Sequence, residues 1–311
     1  IESLDNSPPS KNKENSVDHN NNSRKSSEHN NASLTPIKIT DGDREFFEPT
    51  TLLMAAEYKK NNPNVRIFSG ATDLGVQINK GKNPGSQMMS LHLIPELYQI
   101  SKDGDQIVVG SRVNLHTLQK FMETEHAEFS EFLNIFASPQ IKNAATLVGN
   151  LANGSPIADT TPFLLTAEAT VELWGTAGSR QVPLVDFIKG YKSFDLNQDE
   201  FIIRIRFKPP QATKFKSALY KVSQRRDLDI SCVNSSFVFQ IKDKHIEKAR
   251  IAYGGVGPKA LRLFDVEKLL EGKDLNSQLI DKAKKMISQS VAPISDLRGS
   301  AEFRSNICVD L

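Results

Sequence analysis

The chain has 311 residues, 38% hydrophobic and 24% charged, which is room for about two globular domains. Its 39 basic and 37 acidic residues leave a net charge of +2, a field too weak to gather nucleic acid or an anionic membrane surface. Two cysteines, Cys232 and Cys308, are too few for a disulfide framework or for an iron–sulfur cluster held by this chain alone, and are expected to be small buried thiols.

In chain order, residues 1–34 stand apart, with eight Asn, eight Ser and no aromatic side chain. Such a segment buries too little apolar surface to offset the entropy of ordering, so a disordered tether or tail is expected. The sequence starts with Ile, shows no charged-then-apolar leader pattern, and has no apolar run near the roughly 18 residues of a membrane span. The expectation is a fragment or processed product in a cytoplasmic setting.

Order is expected to begin near Thr35. Thr50 or Thr51 can cap a helix over Leu52–Lys60, and Val65–Phe68 reads as a strand running straight into a glycine turn. Further strands are expected at Gln87–Leu91, Ile107–Val109, Thr170–Trp174 and Phe201–Phe207, with helices at Leu115–Glu125 and Glu128–Phe136. Pro209-Pro210 breaks the chain. Strands at Ser217–Ser223, Cys232–Ile241 and Lys248–Tyr253, then helices at Val266–Glu271 and Leu275–Ser290, point to a separate α+β domain over 213–311.

Two segments carry the chemistry. In Phe68-Ser69-Gly70-Ala71-Thr72-Asp73-Leu74, Gly70 permits positive φ and small side chains leave successive N–H groups uncovered. Such a nest at a helix N-terminus binds phosphate oxygens, although the spacing matches neither dinucleotide fingerprint, and an ordinary tight turn also fits. The second segment, Ala144 to Asp159, is an expected loop of small, hydroxyl and amide residues with two glycines. Those donors suit a diphosphate and a polyol chain, and a structural turn is again the alternative.

The pair of segments resembles the FAD-binding domain shared by vanillyl-alcohol-oxidase-type (PCMH-type) flavoproteins and molybdenum hydroxylases. Ser138–Thr146 resembles the segment that enters the second flavin loop in the hydroxylases, and Gly190–Leu196, Tyr220–Ser231, Ala252–Val256 and Pro293–Arg304 are similar to xanthine-dehydrogenase-type members in particular. The resemblance spans about residue 44 to the end. It implies an α+β fold with a two-lobed FAD domain over 35–212, split near 95, then a smaller α+β domain like the C-terminal domain of carbon monoxide dehydrogenase flavoproteins.

It further implies that Phe68, Ser69, Gly70, Ala71, Thr72, Asp73 and Leu74 hold the FAD diphosphate, and that Thr146, Gly149, Asn150, Asn153 and Asp159 cradle the diphosphate, ribityl and adenosine parts. Phe136 and Ile202 would lie against the flavin ring, and Lys221 would reach toward the cofactor. Arg225 and Arg226 are read as a surface ion-pairing couple, with a place beside a nicotinamide nucleotide as the alternative. Ala71 and Val148 stand where the family has glycine, and of the two the β-branched Val148 is expected to be the more disruptive.

No metal site and no catalytic triad stand out, so the redox chemistry would be the cofactor's. The implied route brings electrons from molybdopterin in a partner large subunit, through two iron–sulfur clusters in a preceding domain, to FAD and on to NAD within a hetero-oligomer. Alternatives are the flavin subunit of a carbon monoxide dehydrogenase-type or aromatic hydroxylase, or a flavin-free docking module.

Overall fold

A computed structural model describes residues 34–226 and 228–311. The tail expected over 1–34 therefore falls almost wholly outside the described residues. In the first lobe, β1 (Ile37–Asp41) and β2 (Arg44–Glu48) make an antiparallel hairpin absent from the sequence expectation. Helix α1 (Leu52–Asn61) starts at Thr51, whose hydroxyl accepts from the Met54 N–H at 3.2 Å. Strand β3 (Arg66–Phe68), helix α2 (Thr72–Asn79) and strand β4 (Gln87–Ser90) follow. The sheet order is β1-β2-β4-β3, and the parallel pairs β2–β4 and β3–β4 are possible because α1 and α2 supply the crossovers.

After a 3-10 turn at Pro95–Tyr98, the second lobe opens with β5 (Ile100–Asp103) and β6 (Gln106–Gly110). Five helices come next: α3 (Leu115–Glu125), α4 (Ala127–Ile135), α5 (Pro139–Ala144), α6 (Leu147–Ala152) and α7 (Thr161–Thr166). The chain returns through β7 (Thr170–Gly175), β8 (Gly178–Pro183), the single-turn α8 (Leu184–Phe187), the small hairpin β9 (Ile188–Gly190) and β10 (Ser193–Phe194), and β11 (Phe201–Phe207). Antiparallel pairing gives the order β5-β6-β11-β7-β8.

Strand β11 joins the two lobes. Phe201 and Ile203 enter a core with Leu52, Met89 and Leu97 of the first lobe. Ile202, Ile205 and Phe207 enter the second-lobe core with Leu115, Leu147 and Phe163. Strand side chains alternate between faces, so one apolar strand serves two cores, and an irregularity between Ile202 and Arg204 adjusts that alternation.

The C-terminal part is a sheet of β12 (Lys216–Val222), β13 (Val233–Lys242), β14 (His245–Gly254) and β15 (Leu261–Arg262), covered by α9 (Phe264–Leu270). The short β16 (Lys273–Asp274) pairs with β14, and α10 (Ser277–Ser290) and α11 (Ala301–Asp310) complete the layer. Helix α7 packs on β13 and β14, where the Thr166 and Ser236 hydroxyls lie 2.6 Å apart, and Thr35–Leu311 forms one compact unit. Among the described residues no helix is long and apolar enough to cross a membrane, and no cluster of His, Cys, Asp or Glu is arranged to hold a metal ion.

Candidate functional site

The first segment is the turn from β3 into α2. Ser69 is held on both sides: its hydroxyl donates to the Ser111 carbonyl at 2.6 Å, and the Arg112 guanidinium donates to the Ser69 carbonyl oxygen. Ala71 caps α2 with φ 55° and ψ 11°, a left-handed conformation, and provides no side-chain cap. The first intrahelical bond is Gly75 N–H to the Ala71 carbonyl at 2.8 Å. The N–H groups of Thr72, Asp73 and Leu74 therefore precede the helical ladder, at the positive end of the helix. Asp73 accepts from the Gln77 amide, whose oxygen accepts from Arg66 at 2.7 Å.

Gly70 is required for a reason different from the one expected. Its φ lies outside the left-handed region, but a Cβ there would sit 1.9 Å from the Ala144 carbonyl oxygen. The residue is a contact between the two segments, and only glycine lets them approach.

The second segment is not the loop expected from its small residues. Within it, α6 runs from Leu147 to Ala152, and the Thr146 hydroxyl accepts the Gly149 N–H at 2.9 Å as its cap. Small residues separate helix from loop poorly, and the signal that could have found α6 is Thr146 itself, a cap residue three positions before Gly149. This helix also corrects the reading of the two departures from glycine. Val148 lies inside α6, 4% exposed, with no positive φ, while the milder-looking Ala71 takes the left-handed conformation.

Between these segments lies a cavity of about 720 Å³, within the range usual for small-molecule and cofactor sites. Phe68, Ser69, Gly70, Ala71, Thr72, Asp73 and Leu74 line one wall. Thr146, Gly149, Asn150 and Asn153 line another, and Phe136 and Ile202 also face it. Sequence reasoning misses Lys59, Arg66, Ser111, Lys192 and Phe194 on the same walls. Charged, polar and aromatic residues scattered over separate elements carry no local motif; Lys192, in the Gly190–Leu196 segment, comes nearest to a signal.

The cavity walls carry three cationic side chains, Lys59, Arg66 and Lys192, and two carboxylates, Asp73 and Glu200. Burial pushes the Lys59 ammonium below its ordinary pKa, while the Asp199 carboxylate opposes that shift. The Glu200 carboxylate on the cavity wall is already committed: Arg180 donates to both its oxygens at 2.7 Å, which lowers its pKa and raises that of Arg180.

Two expected site residues fall elsewhere. Asp159 and Lys221 are not among the residues lining the cavity. They form a buried ion pair at 2.7 Å, with side chains 7% and 2% exposed. Ser231 donates to the same carboxylate, and Asn234 does so at 2.8 Å. A carboxylate and an ammonium buried together neutralise one another, so this network stitches the C-terminal sheet to the α6–α7 connection. Arg225 pairs with Asp229 at 3.5 Å with its side chain 71% exposed, and neither Arg225 nor Arg226 lines the cavity. Asp227 lies outside the described residues.

The walls fit a dinucleotide flavin through their donors. The start of α2 presents the N–H groups of Thr72, Asp73 and Leu74, and among the described residues the Ser111 hydroxyl, in a residue 1% exposed on the cavity wall, has no partner. An unpaired buried hydroxyl costs free energy that a ligand can recover.

Comparison with known proteins points the same way. Residues 40–210 match the family model described as FAD binding domain in molybdopterin dehydrogenase. Residues 218–311 match the CO dehydrogenase flavoprotein C-terminal domain. Xanthine dehydrogenase 1 of Arabidopsis thaliana is 30% identical over 292 residues, covering 88% of this chain and 21% of that protein. The xanthine dehydrogenase FAD-binding subunit of Escherichia coli O157:H7 is 26% identical over 265 residues, covering 84% of this chain and 91% of the subunit. The chain thus spans about a fifth of the length of the first plant relatives it matches. In fold it is similar to a chain of carbon monoxide dehydrogenase from Hydrogenophaga pseudoflava, with TM-score 0.80, 23% identity and coverage of 88% and 95%.

Proposed function

The chain belongs to the family of FAD-binding domains of molybdopterin dehydrogenases, and on that premise we propose that its cavity holds FAD as the flavin relay of a xanthine-dehydrogenase-like oxidoreductase. The observation that carries this reading is the Gly70–Ala144 approach, which brings an anion-binding helix start and the Thr146-capped helix to one cavity.

The residues divide the work. The N–H groups at the start of α2 would hold the diphosphate, with Lys59 and Arg66 balancing its charge. Asn150 and Asn153 offer amides for the polyol. Phe136 and Ile202 give apolar surface that flanks the ring and excludes water. FAD, when bound, supplies the exchange between one-electron and two-electron carriers. In this reading iron–sulfur clusters of a preceding domain deliver electrons, a molybdopterin-binding large subunit oxidises the substrate, NAD takes up hydride, and the assembly is a hetero-oligomer.

The test is an absorbance spectrum of the purified chain, before and after incubation with FAD and gel filtration. Retained flavin bands support the proposal, and bleaching by NADH extends it to the nicotinamide nucleotide. A colourless protein after FAD incubation overturns it in favour of a docking module.

A further inference from the structure

Lys142 sits inside α5 with only 6% of its surface exposed. Its ammonium donates to the Gln119 side-chain oxygen and to the Leu133 carbonyl, each at 2.9 Å. Both partners are neutral. Gln119 extends the network, donating to the Asn134 side-chain oxygen at 2.6 Å and to the Ser130 carbonyl at 3.3 Å, while the Ser130 hydroxyl returns a bond to the Gln119 carbonyl at 2.9 Å. Leu133 belongs to the last turn of α4, whose carbonyls have no helical partner and carry the negative end of the helix dipole. A buried ammonium is a strong cap for that end.

What this network holds is the cavity wall. Three residues beyond Leu133 is Phe136, which lines the cavity, followed by Ala137 at φ 59°. On the same short helix as Lys142 are Ile141, also on the cavity wall, and Ala144, whose carbonyl meets Gly70. Burying a lysine among neutral partners costs several kcal/mol. A neutral side chain of the same length would fill the space without that cost, so the charge is the feature to explain.

We propose that Lys142 is a positioning residue for the cofactor: its buried ammonium locks the turn from α4 into α5, with Phe136 and Ala144, in the binding geometry, and loss of its proton releases the lock. The inference rests on the flavin reading of the cavity. Burial pushes the lysine below its ordinary pKa, so the release comes at a lower pH than it would for an exposed lysine. The other charged groups on the packed elements, His126 apart, are exposed or paired with one another. His116, Glu128 and Glu131 are exposed, Lys120 pairs with Glu123, and Glu125 pairs with Lys102. The buried His126 is shifted downward by burial and is already neutral at alkaline pH.

The experiment is FAD titration of the full chain followed by flavin fluorescence at about pH 7.5 and about pH 9.5. For the native chain the dissociation constant should rise about fivefold or more across that interval, since one lost charged hydrogen-bond pair is worth about 1 kcal/mol or more. Lys142→Met should bind about tenfold more weakly at the lower pH and show no such rise. Lys142→Arg stays charged throughout, so it should bind like the native chain at the lower pH and lack the rise. A Met variant within about twofold of native affinity at the lower pH overturns the proposal. So does an equal pH-dependent rise in the native chain and the Arg variant, a comparison that decides the matter if the Met variant fails to fold. Absence of FAD binding by the native chain at the lower pH would instead sink the flavin reading.

Discussion

The α-carbon of Gly70 faces the carbonyl oxygen of Ala144 so closely that a methyl group on it would lie 1.9 Å from that oxygen. The two residues are 74 positions apart and belong to different lobes, so the contact brings the β3–α2 turn and the end of α5 to one cavity. Gly70→Ala should therefore force the turn and α5 apart. Overpacking against backbone of this kind costs about 1–3 kcal/mol. Denaturant unfolding of the apoprotein should show that loss, and flavin retention on gel filtration should fall more steeply than stability. Normal retention would separate the contact from the binding site.

Ala71 and Val148 make opposite predictions. Ala71 holds a left-handed conformation, which costs an alanine about 1 kcal/mol relative to glycine. Ala71→Gly should raise stability by about that amount, and thermal melting of the apoprotein checks it. Val148→Gly should lower stability by about 1–2 kcal/mol, because it empties a buried position and puts glycine inside α6.

Asp159 and Lys221 predict a structural phenotype ahead of a redox one. Removing one partner leaves a buried charge unpaired, at a cost of about 3–5 kcal/mol, so Lys221→Met should sharply lower the melting temperature. Lys221→Met combined with Asp159→Asn should recover part of the loss, as a double-mutant cycle would read out. Additive losses would show that the pair is not coupled.

His126 predicts a pH dependence. Its Nδ1 accepts the Phe129 N–H at 3.1 Å as the cap of α4, its Nε2 lies 3.3 Å from the Ser217 hydroxyl on β12, and burial holds its pKa below the ordinary 6.5. The unfolded chain therefore takes up a proton before the folded one does. This contribution is fully present above pH 6.5 and is lost as the pH falls from there through the lower folded value. Melting temperature should drop between about pH 7.5 and about pH 5.5 in the native protein, and drop less in His126→Asn, which keeps a cap acceptor. Parallel curves for the two would rule His126 out as the sensor.

The long elements are legible in the sequence. The helix over Leu115–Glu125 and the strands β7, β11 and β13 stand where the sequence places them, within a residue or two at their ends. The cavity lining from Phe68 to Leu74, and Thr146, Gly149, Asn150 and Asn153 opposite it, is legible for a related reason. Gly, Thr and Asn at a strand end or a helix start act through the local backbone. Short elements such as α6 are not legible, since six small residues express no period.

The sequence by itself determined the composition of each wall: a helix start with small side chains, a segment of small, hydroxyl and amide residues, and an apolar strand. Tertiary structure alone decided why Gly70 is glycine, that Ala71 rather than Val148 is strained, and that Asp159 spends its charge on Lys221 instead of the cavity. The physical reason is range. Capping and turn conformation are decided within four residues, whereas steric approach and charge pairing depend on atoms brought together from positions 62 to 74 residues apart.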